Sequence, residues 1–238
     1  MADFSILSLE GVQRMGLPLN SCYLLPAFDY DICSPTVHTG QVRRRTKKKT
    51  KTNMIILLSG LALFFGIHAI PMFPSFKASL QSRFGAMRFK GIYSLIALAG
   101  FALILLGMSR AEFRPIFTPP AWAPMIANLA MPVAFCLLVA AYAPNNFRRV
   151  IRNPMLSGIL VWAFAHLVTN GDLASILLFG LFGLYAIIDI ISVNRRSPAE
   201  TPARQPLFKD LIVLVIGFAA FWAVRYFHAA LFGVPVVV

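Results

Sequence analysis

Charge is what this sequence most lacks. Only 13% of its 238 residues are Asp, Glu, Lys or Arg, against roughly 25% in an ordinary soluble domain. Apolar residues make up 58%, and mean hydropathy is +0.72. A soluble globule of that composition has too little polar surface to stay dispersed; a bilayer is its natural solvent. Cysteine is scarce as well: Cys22, Cys33 and Cys136 are the three present. No paired spacing links them, which argues against a zinc site or a disulfide framework. Cys136, inside an apolar stretch, reads as a small lipid- or core-facing residue. No nucleophile–base constellation and no glycine-rich phosphate loop occurs. Paired carboxylates are missing at membrane depth, which argues against a proton-coupled carrier.

Acidic residues number 9 against 22 Lys and Arg, a net charge of +13. Taken alone, that balance suggests nucleic acid. The placement of the charges argues otherwise, and no nucleic-acid partner is expected. Seven of the 22 basic residues fall within residues 43–51. Most of the others sit in short connections between apolar stretches, as in a membrane protein whose basic loops stay cytoplasmic.

Residues 1–53 differ from the rest. They hold no long apolar run and no clear helical period, carry scattered prolines (Pro18, Pro26, Pro35), and end in RRRTKKKTK. Met54 reads as the natural initiator, with residues 1–53 an upstream misassigned start; the alternative is a disordered basic tail. A signal peptide fits less well, because the apolar run after Met54 is long and no small-x-small cleavage site follows.

A span needs about 20 mostly apolar residues. Six are read: residues 54–74, 91–108, 122–142, 154–170, 173–191 and 211–232. The expected fold is therefore all-α, a bundle of six transmembrane helices. Spans four and five meet at Asn170-Gly171-Asp172. Gly171 suits a left-handed helix stop and Asp172 the next N-cap, so a tight antiparallel hairpin is expected. Loops 75–90, 143–153 and 192–210 hold most of the basic residues. The positive-inside rule makes them cytoplasmic. Residues 43–51 then fall on the opposite side, against the same rule, which favours the false start. Gly100, Gly107, Gly180 and Gly183 are expected to allow close helix packing.

Ionisable groups at membrane depth are costly, so each is a functional candidate. They are His68 in span one, His166 in span four, and Arg225 and His228 in span six. Asp189 lies near the cytoplasmic end of span five and needs no special role. His166 shares a helix face with Trp162, Thr169 and Asn170. A buried neutral imidazole can ligate a haem iron through one nitrogen and hydrogen-bond through the other; equally, it can bridge packed helices. Phe64 and Phe65 lie one turn before His68, and aromatic walls suit either a porphyrin or ordinary packing. Arg225 can neutralise a ligand carboxylate such as a haem propionate, pair with Asp172, or snorkel to headgroups.

Three segments, MIILLSGLALFFGIHAIPMFP, RNPMLSGILVWAFAHLVTNGDLASILLFG and HAALFGVPVV, resemble the NnrU family from about residue 54 onward. The resemblance implies a bacterial inner-membrane protein associated with nitric oxide and nitrite reduction in denitrification. Plant relatives sharing the domain are 15-cis-zeta-carotene isomerases, haem b enzymes with histidine axial ligands. By motif, the family's span-one histidine falls on His68, and that of its W-x-x-A-H stretch on His166. The family's R-H-P-M-L is here Arg152-Asn153-Pro154-Met155-Leu156, so no ligand role carries over to Asn153.

The resemblance thus implies haem b held by His166 and His68, the metal ligands, with His228 and Arg225 alongside. In the expected topology His68 and His166 differ in depth by on the order of 10 Å, whereas His166 and His228 match better. Three functions follow as expectations. One is a haem-binding accessory or redox protein working with nitrogen-oxide reductase components. Another is a haem-dependent cis-trans isomerase of a carotenoid-like polyene. The third is a non-catalytic membrane scaffold.

Overall fold

Proline and glycine divide the apolar sequence into helices. The computed structural model describes residues 39–197, 201–233 and 236, with side chains from Asn53 onward. The first helix, α1 (Thr39–Ala69), stops where Pro71 supplies no N–H, and a 3-10 turn, Ile70–Met72, follows. The next, α2 (Pro74–Phe84), opens on Pro74 and closes at Gly85, whose φ of 81° no β-carbon residue adopts readily. Then come α3 (Ala86–Met108), α4 (Ala123–Ala140) with Pro132 inside it, and the single turn α5 (Phe147–Val150). Helix α6 (Pro154–Thr169) starts on Pro154. Helix α7 (Leu173–Arg196) is capped as expected by Asp172, whose carboxylate accepts the Ser175 N–H at 3.1 Å. Helix α8 (Leu207–Phe232) ends in the left-handed Gly233, φ 75°, whose N–H reaches the Ala229 carbonyl at 2.9 Å.

The chain divides into two compact units, Met1–Arg44 and Arg45–Val238. Only the opening of α1 is described in the first. That helix begins at Thr39, within the stretch whose sequence shows no helical period. Lys and Arg are good helix formers without any apolar stripe, which is why the period misses it. Residues 1–38, and the false-start expectation with them, lie outside the described residues.

The second unit is all-α, and its helices are those of an integral membrane protein. Among the described residues five segments are long and apolar enough to cross a bilayer: Asn53–Met72, Ala86–Met108, Ala123–Ala140, Leu173–Arg196 and Leu207–Phe232. In none of them is more than 22% of the apolar window buried against protein, so most of that surface needs lipid around it. Leu95 and Leu129 are 68% and 65% exposed. The count of six is corrected to five. The fourth expected span, 154–170, is a helix of 16 residues, Pro154–Thr169. At 1.5 Å per residue that is about 24 Å, short of a hydrocarbon core about 30 Å thick. Proline at one end and the Asn170-Gly171-Asp172 turn at the other fix its length.

Small residues bring the helices together. A β-carbon on Gly60 would lie 2.6 Å from the Ile104 nitrogen, and one on Gly107 2.5 Å from the Leu57 Cα. Gly100 is as close to Phe64, at 2.8 Å. Helices α1 and α3 therefore touch backbone to backbone. Helix α4 packs on α6 and on α8, with Gly217 of α8 against Cys136 at 2.7 Å. Of the glycines expected to pack closely, Gly100 and Gly107 do so, and Gly183 makes ordinary contact with Ala163 at 3.5 Å. Gly180 has nothing within 4 Å.

Helices α6 and α7 pack as the expected hairpin, but the turn works differently. Gly171 is not left-handed; the positive-φ glycines among the described residues are Gly85 and Gly233. Gly171 is needed because a β-carbon there would strike the Phe117 carbonyl oxygen. The segment after α3 crosses the turn: Ile116 N–H donates to the Gly171 carbonyl at 2.8 Å, and Leu173 N–H to the Arg114 carbonyl at 2.9 Å. Helix α6 ends on Asn170, whose backbone N–H and side-chain amide both reach the His166 carbonyl at 2.9 Å.

Candidate functional site

Two half-buried histidines stand at the ends of an aromatic ladder. His68, in the last turn of α1, places Nδ1 2.7 Å from the Phe64 carbonyl. His166, in the last turn of α6, places Nδ1 2.9 Å from the Trp162 carbonyl. A carbonyl oxygen only accepts, so in each ring Nδ1 carries a proton, and Nε2 is the nitrogen whose lone pair a neutral ring offers. That is the tautomer a metal-ligating imidazole adopts, with the other nitrogen tied to a carbonyl.

The ladder runs from ring to ring. His68 stacks on Phe64 with centroids 4.1 Å apart. Phe64 meets Phe182 at 5.4 Å, Phe182 meets Trp162 at 5.4 Å, and Trp162 meets His166 at 5.2 Å. His166 also stacks on Phe179 at 4.4 Å. Helix α7 serves as a ruler between them. His166 lies at the level of Phe179, and His68 nearer the level of Tyr185, 6.3 Å away edge-on. Those two α7 positions are about 9 Å apart along the axis. The structure therefore keeps His68 and His166 at different depths.

The His68 end is polar. Pro71 leaves carbonyls of the last turn of α1 without helical partners. The Tyr185 hydroxyl donates to the His68 carbonyl at 3.0 Å, and Arg196 donates to the Pro71 carbonyl. Asp189 lies 3.5 Å from both the Tyr185 hydroxyl and the Arg196 guanidinium. Asp189 thus has a partner set that the sequence did not disclose. The His166 end is apolar, walled by Trp162 and Phe179, which meet edge-to-face at 4.9 Å.

His228 and Arg225 come from α8. The His228 ring meets Phe232 of the same helix, centroids 4.9 Å apart. Arg225 donates to Asn128 Oδ1 of α4 at 2.6 Å and lies 5.8 Å over the Trp222 ring. Asp172 is occupied with Ser175 instead. Beside the ladder, Phe101, Phe135, Leu138 and Ile159 join Trp162 and Phe182 around an apolar recess of about 260 Å³.

The family described as NnrU protein matches residues 56–236. The chain belongs to the NnrU family. No curated protein and no solved structure matches it.

The NnrU resemblance implies haem b, and the donor atoms allow a test of fit. Among the described residues no three His, Cys, Asp or Glu side chains converge on a metal position. A porphyrin brings its own four nitrogens and asks the protein only for axial ligands. Two axial imidazoles on one iron need nitrogens about 4 Å apart, two metal–nitrogen bonds of about 2 Å. His68 and His166, about 9 Å apart in level, do not meet that need. His166 alone fits. Sequence reasoning missed Tyr185, Asn128 and Asn146. Tyr185 and Asp189 stand four apart on α7, the one signal that pointed to their pairing.

Proposed function

We propose that this NnrU protein binds haem b in the bacterial inner membrane and acts as an accessory or redox component of nitric oxide and nitrite reduction. The observation carrying the proposal is the His166 imidazole. Its Nδ1–H is spent on the Trp162 carbonyl, its Nε2 lone pair is retained, and its ring is clamped against Phe179. His166 would hold the iron, with His228 the better-matched second ligand and His68 a separate imidazole at the polar end. Arg225 would stand ready for a propionate once it exchanges its bond to Asn128. A bound haem supplies one-electron chemistry; the chain's part is to fix the imidazole tautomer and keep water from the ring. The short α6 returns the chain antiparallel to α7, so loops 143–153 and 192–210 lie at one end; with loop 75–90 their basic residues orient that end to the cytoplasm. Reductase components of the same membrane are the partners this role needs.

The test is a reduced-minus-oxidised spectrum of the full chain purified in detergent after expression with ample haem. A Soret band and an α-band that vanish in His166→Ala are expected. A colourless wild-type protein would overturn the proposal and leave a scaffold role.

The apolar recess beside Trp162 favours a second reading, a cis-trans isomerase of a carotenoid-like polyene. Its lining is almost wholly apolar and would take one segment of such a chain. Complementation of a carotenoid pathway blocked at the 15-cis isomer decides it, and failure to convert that isomer removes it.

A further inference from the structure

At one end of the bundle, where α4 stops, α6 starts and α7 runs out, there is a second recess, of about 280 Å³. Tyr142, Arg148, Arg152 and Asn153 line it, together with Asp189. Such a set is unusual in a chain so poor in charge. We infer that this recess binds a phosphate-bearing anion, the headgroup of an anionic phospholipid.

The lining carries the inference in three steps. First, the charge is positive. Arg148 and Arg152 both face the recess, and its one carboxylate, Asp189, is engaged by Arg196 at 3.5 Å and by the Tyr185 hydroxyl at 3.5 Å. Guanidinium groups bind phosphate oxygens through two parallel N–H bonds. Arg152 is held at the rim by a bond from its guanidinium to the Ser197 carbonyl. Second, neutral donors are in place. The Tyr142 hydroxyl rests on the Met155 sulfur at 3.5 Å, a weak acceptor that a phosphate oxygen would displace. The Asn153 amide donates to Asn194 Oδ1 at 2.9 Å on the same rim. Third, the rest of the wall is apolar: Met155, Leu156 and Val193. A free inorganic phosphate has no use for such a wall, whereas a lipid's glycerol and first methylenes do. The recess also lies at helix ends, the level at which headgroups stand, and basic pockets between spans on this side of a membrane bind anionic lipid.

The site is independent of haem. Of the groups around the ladder it shares Asp189, and its phosphate donors lie elsewhere, so it stands if the protein proves colourless.

The full chain in neutral detergent provides the test. Lipid adducts are counted by native mass spectrometry, and melting temperature is followed as phosphatidylglycerol, phosphatidylcholine or inorganic phosphate is added. Phosphatidylglycerol should bind and raise the melting temperature, and phosphatidylcholine should not. In Arg148→Gln/Arg152→Gln the phosphatidylglycerol affinity should drop roughly tenfold or more. Equal binding of the two lipids, or undiminished phosphatidylglycerol binding by the double variant, would overturn the inference. If the double variant does not fold, the wild-type salt dependence decides. A preference that fades as salt rises supports the guanidinium contacts; one indifferent to salt overturns them. Inorganic phosphate that raises the melting temperature and displaces phosphatidylglycerol identifies a soluble phosphate as the source of the same chemistry. Phosphate without effect, beside a binding lipid, identifies the headgroup.

Discussion

The two ends of the aromatic ladder hold their histidines by opposite means. At the His68 end the backbone is interrupted by Pro71, and side chains repair the break: Tyr185 takes the His68 carbonyl and Arg196 the Pro71 carbonyl. At the His166 end the backbone is intact to its cap. The ring is fixed by packing, between Trp162 and Phe179. Both imidazoles keep the same tautomer, since each Nδ1 faces a carbonyl one turn back. What differs is the surroundings. One ring stands near a carboxylate, two tyrosines and the membrane edge; the other stands in an apolar pocket walled by Trp162 and Phe179. The lesson is that a shared tautomer does not make a shared site. A histidine's depth and neighbours decide which ligand it can serve.

The largest expected effect separates the two rings directly. His166→Ala should abolish the Soret absorbance of the purified protein, and His68→Ala should leave most of it. Pigment lost from His68→Ala and kept in His166→Ala would reverse the comparison.

Next in size is a backbone test of the His166 end. Gly171→Ala should cost about 3 kcal/mol or more, because the new β-carbon strikes a backbone carbonyl that is itself pinned by the α6–α7 turn. Gly180→Ala, on the same hairpin with nothing within 4 Å, should be neutral or slightly stabilising by roughly 0.5–1 kcal/mol. Thermal or denaturant unfolding in detergent checks both. Similar effects from the two would mean that the turn is looser than its contacts imply.

A smaller loss is expected at the polar end. Tyr185→Phe removes the donor to the His68 carbonyl and should cost about 1 kcal/mol. It should also raise amide exchange in the last turn of α1 while leaving α6 unchanged. Unchanged exchange in α1 would show that Tyr185 does not hold the break at Pro71.

The smallest effect belongs to the exposed pair Arg114–Glu112, 3.5 Å apart with side chains 48% and 58% exposed. Glu112→Gln should shift stability by less than about 1 kcal/mol. A larger shift would point to an ordering role for the segment that crosses the α6–α7 turn.

Much of this molecule is legible in its sequence. The apolar runs, the N-cap at Asp172 and the family segments around His68 and His166 all rest on local sequence. The short α6 and the upstream start of α1 were not legible to the same degree. Hydropathy averages over residue 170 as if it were still helix, and a basic helix leaves no apolar stripe to detect. Gly171 was singled out correctly as a constraint but for the wrong cause, since a close approach leaves the same residue choice as a left-handed turn. The Asn146 clasp was invisible. Its side chain joins the Asp210 carboxylate at 2.7 Å and the Gln205 backbone at 2.8 and 2.9 Å, across a separation in sequence that no local pattern spans.

Composition and periodicity alone determined that this chain lives in lipid as a set of apolar helices with a few imidazoles among them. Burial of apolar surface is a property of residue type, and residue type is written in the sequence. Only the tertiary structure decided which rings meet: that His68 and His166 stand at different levels of α7, and that Arg148 and Arg152 share a recess. Those facts depend on which helix packs beside which, and on contacts between residues far apart in the chain.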